Sequence, residues 1–88
     1  MKPMSNTNIK SIREYWAAYL ETVIPRDAST TQVIESRRCF YAGAAAIMNT
    51  VMEIGDNDAI DEMAGADIME DRLQELHEFH EDVQRGRA

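Results

Sequence analysis

Two arginines, Arg37 and Arg38, stand near the start of a candidate helix, where the helix dipole already carries about half a positive charge and favours acids instead. That placement asks for an anionic partner. Other groups suited to holding an anion lie elsewhere in the chain. Arg26 and Arg72 offer guanidinium forks to a phosphate, Thr30 and Thr31 add hydroxyls, and the open amides of a helix N-terminus complete a phosphate cradle. Tyr15, Trp16 and Tyr19 supply flat faces for stacking a base, at roughly 1–3 kcal/mol per base. Together these residue types point to non-covalent capture of a small anionic, aromatic ligand. Competing uses are plain: a tryptophan on an apolar helix face is more often core than a stacking platform, and Arg38 can pair with Glu35 or Asp27.

Bond-breaking chemistry finds no comparable support. In His77-Glu78-Phe79-His80-Glu81 the histidines are three apart, whereas a zincin helix needs them four apart on one face. The acidic turn Asp56-Asn57-Asp58-Ala59-Ile60 begins like a calcium loop. Ile60 stands where a third oxygen ligand belongs, and Asp61 replaces the glycine that such a loop requires. Neither histidine follows a glutamate by three positions, as a di-iron bundle would demand. Cys39 reads as a small buried hydrophobe, since a nucleophilic thiolate needs a histidine partner and both histidines fall on a distant helix. The expectation is a protein without enzymatic activity, metal or cofactor.

Composition bounds the partners. The 88 residues suffice for one domain with one small core, and so short a chain gains much from self-association. Hydrophobic residues at 44% and charged ones at 28%, with few β-branched runs, indicate a globular helical class. One cysteine, no signal peptide and no long apolar run imply a soluble intracellular protein that stays off membranes. A net charge of −7 argues against long nucleic acid, whose readers carry a basic stripe. The charge is unevenly divided. Residues 1–52 carry Lys2, Lys10, Arg13, Arg26, Arg37 and Arg38 against Glu14, Glu21, Asp27 and Glu35; residues 53–88 hold twelve acids against Arg72, Arg85 and Arg87. An acidic outer helix face accounts for this simply, and head-to-tail contacts between subunits are a sharper possibility.

The elements that must position these groups follow from the spacing of apolar residues. Residues 1–7 read as a disordered start. Ile9, Ile12, Trp16, Tyr19, Leu20 and Val23 recur at helical steps, predicting a first helix over about 8–24, capped by Asn6 or Asn8 and stopped by Pro25. Ser29-Thr30-Thr31-Gln32 is a capping box opening a second helix that runs to Ile54, with Gly55 as its stop. Val33, Phe40, Ala44, Ile47, Val51 and Ile54 form its seam, widened by Ile34, Tyr41, Met48 and Met52, and the tiny residues Ala42 to Ala46, Gly43 included, permit close approach of another backbone. A third helix is expected from near Asp58 to Gln84, possibly bent at Gly65, with Met69, Leu73, Leu76, His80 and Val83 stepping by four and three. Arg85, Gly86 and Arg87 read as a fraying end. The predicted fold is all-α: a short N-terminal helix and a long antiparallel helical hairpin in one domain over 1–88, assembling into a compact homo-oligomer.

The order of Trp16, Val23-Ile24-Pro25, Glu35-x-Arg37-Arg38-x-Phe40-Tyr41-Ala42-Gly43-Ala44 and an acidic third helix ending Arg85-Gly86-Arg87 resembles a group of short phage-encoded helical proteins. That group includes the anti-CBASS sponges, compact hexamers that sequester cyclic di- and trinucleotide signals and keep bacterial antiphage effectors from firing. The resemblance covers roughly residues 12–85, and Arg37-Arg38-x-Phe40-Tyr41-Ala42-Gly43 is its most specific part. It implies a homohexamer in the cytoplasm of an infected host, with an aromatic at Tyr15 or Trp16, a threonine at Thr30 or Thr31, and Arg72 from a second subunit around the ligand. The sponge's basic residue near the start of helix two falls close to Thr30, and Arg26 is the nearest candidate. A different class of function also fits the acidic half: a DNA-mimicking surface that blocks a host nuclease. A helical structural protein of the phage is the third reading.

Overall fold

A computed structural model describes residues 9–88, which form three helices: α1 (Ile12–Thr22), α2 (Thr30–Asp56) and α3 (Glu62–Gln84). No strand occurs among the described residues. The expected disordered start and the proposed caps Asn6 and Asn8 lie outside them. The chain divides into two compact units, Met1–Asn49 and Thr50–Ala88, so the boundary falls within α2.

The first unit is built by a cap, a proline and a ring cluster. α1 starts four residues later than its apolar spacing suggests because Ser11 is the cap. Its hydroxyl accepts from the Glu14 amide at 3.1 Å, and the Ser11 amide donates back to the Glu14 carboxylate at 2.8 Å. At the other end the amides of Val23 and Ile24 both turn onto the Tyr19 carbonyl, and Pro25 bars Ile24 from continuing the helix. The Ala28 amide closes a turn on the Pro25 carbonyl at 3.1 Å, and Ser29 then caps α2 by accepting from Gln32 at 3.0 Å. Trp16 is 6% exposed and is the one buried large hydrophobic residue among the described residues. Its ring meets Phe40 of α2 edge-on at 5.5 Å, and Tyr19 lies 5.4 Å from Phe40 and 6.0 Å from Trp16.

Along α2 the half-buried positions are Val33, Ser36, Phe40, Tyr41, Ala44, Ile47, Thr50 and Ile54. Val33, Phe40, Tyr41, Ala44, Ile47 and Ile54 are predicted seam positions, Ser36 and Thr50 join them unpredicted, and Ile34, Met48 and Met52 are exposed where the seam was expected to widen. Val51 is exposed, and Cys39 is exposed where a buried hydrophobe was expected. Cys39 precedes Phe40 by one residue, about 100° around the helix, which turns it away from the packed side.

In the second unit, α2 continues through Gly55, which is helical and does not stop it. The stop is made by Asn57. Its side chain accepts from the Ala59 amide at 2.9 Å and its carbonyl from the Ile60 amide at 3.0 Å, a turn that takes up the residues expected to open the third helix. Asp61 caps α3 in place of Asp58, accepting from Ala64 at 2.8 Å. Gly65, expected as a bend, is a close-approach site inside α3: a β-carbon there would stand 2.8 Å from Ile54 Cγ2. The predicted fraying end is instead a closed Schellman motif. Gly86 has φ of 74°, its amide reaches the Val83 carbonyl at 3.1 Å, and the Arg87 amide reaches the Asp82 carbonyl at 2.7 Å. The Arg87 guanidinium then folds onto the Asp82 carboxylate at 2.8 Å.

Candidate functional site

The turn from α1 to α2 leaves an open groove of about 450 Å³ lined by Leu20, Glu21, Ile24, Pro25, Arg26, Ala28 and Val33. That volume lies within the range of small-molecule sites. Its walls come from both sides of the proline: the last turn of α1 supplies Leu20 and Glu21, the turn supplies Ile24, Pro25, Arg26 and Ala28, and the first turn of α2 supplies Val33. The lining is apolar except for one cation, Arg26, and one anion, Glu21. Such a lining suits a flat or apolar body carrying a single anionic group, which Arg26 would attract and Glu21 would orient by repulsion.

Thr30 and Thr31 are the exposed first residues of α2, immediately after the groove in the chain. First-turn amides have no acceptor within their own helix. Ser29 takes that of Gln32, which leaves the amides of Thr30 and Thr31 at the surface beside the positive end of the dipole.

The remaining predicted residues separate into different environments. Tyr15 is 56% exposed, with the Lys10 ammonium over its ring at 5.9 Å from the centre, and it does not line the groove. Trp16 is not open, since Phe40 and Tyr19 occupy its surroundings. Arg37 places its guanidinium 5.3 Å from the ring centre of Tyr41, one helical turn on. Arg38 faces Glu35 at 3.7 Å, both side chains well exposed, a pairing of the weakly held surface kind. The two arginines are thus turned toward partners on α2 itself, and neither lines the groove. Arg72 is exposed in the middle of α3, within the second unit.

Glu14, in the first turn of α1, titrates below its ordinary range. The Ser11 amide that donates to its carboxylate holds it below the ordinary glutamate range, aided by the Ser11 hydroxyl and by Lys10 and Arg13, against desolvation. This shift belongs to the cap, not to a reacting group.

A second apolar groove of about 430 Å³ lies in the second unit, lined by Val51, Ile54, Ile60, Asp61, Glu62, Gly65, Ala66 and Met69. Among the described residues, no three His, Cys, Asp or Glu side chains gather closely enough to hold a metal ion. No described helix is long and apolar enough to cross a membrane.

The groove itself was the feature missed in the sequence. Val23-Ile24-Pro25 reads as a helix ending, yet Leu20, Ile24, Ala28 and Val33 bracket that proline with apolar side chains on both sides of a tight turn. That bracketing is the signal that could have found it. Compared with known proteins, the chain matches no family description, no curated protein and no solved structure.

Proposed function

We propose that this protein binds and sequesters a small anionic nucleotide without cleaving it, and that cyclic di- and trinucleotides are its ligands. The observation that carries the reading is the groove beside Pro25, where an apolar wall, one guanidinium and the open start of α2 lie within one short stretch of chain. Arg26, Thr30 and Thr31 are assigned to phosphate, and Tyr15 to stacking a base. Arg72 is assigned to the same ligand from a neighbouring subunit, as in the sponges the sequence resembles. On this reading the protein is a homohexamer of helical hairpins acting in the cytoplasm of an infected bacterium. It blocks CBASS effectors by lowering free signal, so its effect scales with its copy number.

The test is to incubate purified protein with a panel of cyclic di- and trinucleotides, remove unbound ligand, heat the sample and identify what is released. Intact nucleotide from wild type, reduced at least tenfold in Arg26→Ala and Tyr15→Ala, is the expected result. Both side chains are exposed, so the variants should keep wild-type circular dichroism. Release of nothing, or of a linear product, overturns the proposal.

A further inference from the structure

We propose, on the nucleotide reading above, that Glu21 makes the groove beside Pro25 selective for guanine. Its basis is a pair of opposite charges that do not neutralise each other. Glu21 and Arg26 both line the groove, one before the proline and one after it, and both are exposed. Among the described residues the ion pairs are Arg38 with Glu35 and Arg87 with Asp82, so neither groove charge is taken up by the other. A site for phosphate alone has no use for a carboxylate, which repels what the site should hold. A ligand that is anionic at one end and donates hydrogen bonds at the other uses both charges.

The wall supplied by Leu20, Ile24, Pro25 and Val33 is apolar and suits the face of a base. A cyclic dinucleotide carries two bases. Tyr15, outside the groove, is assigned to one of them, and this wall receives the other. With the phosphate at Arg26, repulsion keeps it from Glu21 and leaves the edge of the base to meet the carboxylate. A carboxylate only accepts hydrogen bonds, through two oxygens side by side. Guanine presents two adjacent donors on its Watson–Crick edge, N1–H and the N2 amino group, one for each oxygen. Adenine and cytosine place a single amino donor beside a ring-nitrogen lone pair, which the second oxygen repels. Uracil sets its one N–H between two carbonyl oxygens. Guanine is the base whose edge matches, and its bonds to the carboxylate are of the strong, charge-assisted kind.

The experiment is calorimetric titration of the full chain with cyclic di-GMP, cyclic di-AMP and cyclic di-IMP, whose hypoxanthine keeps N1–H and lacks the N2 amino group. Wild type should bind cyclic di-GMP about tenfold or more tighter than cyclic di-AMP, with cyclic di-IMP between them. Glu21→Gln keeps the size of the side chain but exchanges one acceptor oxygen for a donor, which complements the donor and lone pair of adenine. Its preference should therefore move toward cyclic di-AMP by about tenfold or more, a gain that misfolding does not produce. Equal binding of the guanine and adenine ligands by wild type overturns the selection and leaves sequestration standing. A guanine preference that survives unchanged in Glu21→Gln belongs to another residue and overturns the role of Glu21. Failure of wild type to bind any of the three overturns the selection, and failure with cyclic trinucleotides as well overturns the nucleotide reading.

Discussion

The two units are held together by different kinds of contact. In the first, α1 and α2 close over one another through Trp16, Tyr19 and Phe40, and a full capping box and a proline turn fix where α1 starts and stops. In the second, Ile54 packs closely on Gly65, Ile60 and Ile68 are half-buried nearby in the chain, and the apolar row of α3 from Leu73 to Val83 is exposed. The contrast teaches that a helix can be well specified at both ends and still lack a partner along its length. α3 has a side-chain cap at Asp61 and a Schellman closure at Gly86, so its ends are satisfied locally. Along its length, by contrast, Leu73, Leu76, Phe79 and Val83 are exposed.

The largest effect expected is on the ring cluster. Trp16→Ala removes the buried side chain of the first unit and should cost about 3 kcal/mol or more, read as a lowered midpoint in thermal or urea unfolding. Trp16→Phe, which keeps a ring against Phe40, should recover a large part of the loss. If Trp16→Ala instead left stability intact and abolished ligand release, the tryptophan would be a stacking platform and the first unit would lose its claim to self-sufficiency.

In the second unit the corresponding probe is Gly65→Ala. The new β-carbon meets the Ile54 branch methyl at 2.8 Å, and relieving such overpacking costs about 1–3 kcal/mol, against roughly 1 kcal/mol gained from helix propensity. A net loss is expected. Ile54→Leu removes the methyl at that position while conserving volume, and the double variant should recover the stability. Additive losses in the double variant would mean that the 2.8 Å approach is not what makes Gly65 necessary.

Much of this architecture was legible from the residues. Period-3.6 apolar spacing located all three helices, Ser29 was recognised as a cap, and the narrow α2 seam from Val33 to Ile54 is half-buried apart from Val51, whereas its expected wider flank at Ile34, Met48 and Met52 is exposed. Termini were less legible because several residues nearby could play the same part. Ser11, with Glu14 three positions on, is a complete capping box, yet apolar Ile9 drew the expected start of α1 upstream. Asn57 turns the chain through its own side chain and so displaced the α3 cap from Asp58 to Asp61, since both aspartates follow a plausible turn. The candidate site was legible in parts only. Arg26, Thr30 and Thr31 were identified by type, but the groove they border depends on side chains brought together by the turn, which periodicity does not encode. Arg37 and Arg38 drew attention as misplaced charge, and their partners are local: the Tyr41 ring and Glu35.

Gly55 and Gly86 sharpen the same contrast at about 1 kcal/mol. A glycine just beyond apolar helical spacing is the usual C-terminal stop, and that rule was satisfied at Gly86, where φ is 74°, rather than at Gly55. Alanine at 86 must adopt the left-handed conformation and should lose about 1–2 kcal/mol. Alanine at 55 sits in open space on a helical backbone and should gain up to about 1 kcal/mol. Opposite signs in the two unfolding midpoints are expected, and equal signs would show that one of the two helix ends is differently built.

The smallest effect is a pH response confined to the first unit. Glu14 is held below the ordinary glutamate value of about 4.3 because its charged form accepts from the Ser11 amide. A depressed carboxylate contributes stability that is fully present above its unfolded value and fades as pH falls through its lower folded one. The cap should therefore hold at neutral pH and weaken on acidification through the range at and below about pH 4. The Ser11 amide resonance reports this directly: in wild type it should shift with the Glu14 titration, while in Glu14→Gln, which keeps an acceptor oxygen but cannot ionise, it should stay flat. A Ser11 shift that persists unchanged in Glu14→Gln would show that a different carboxylate governs the start of α1, and the first unit would then be less locally determined than its cap geometry implies.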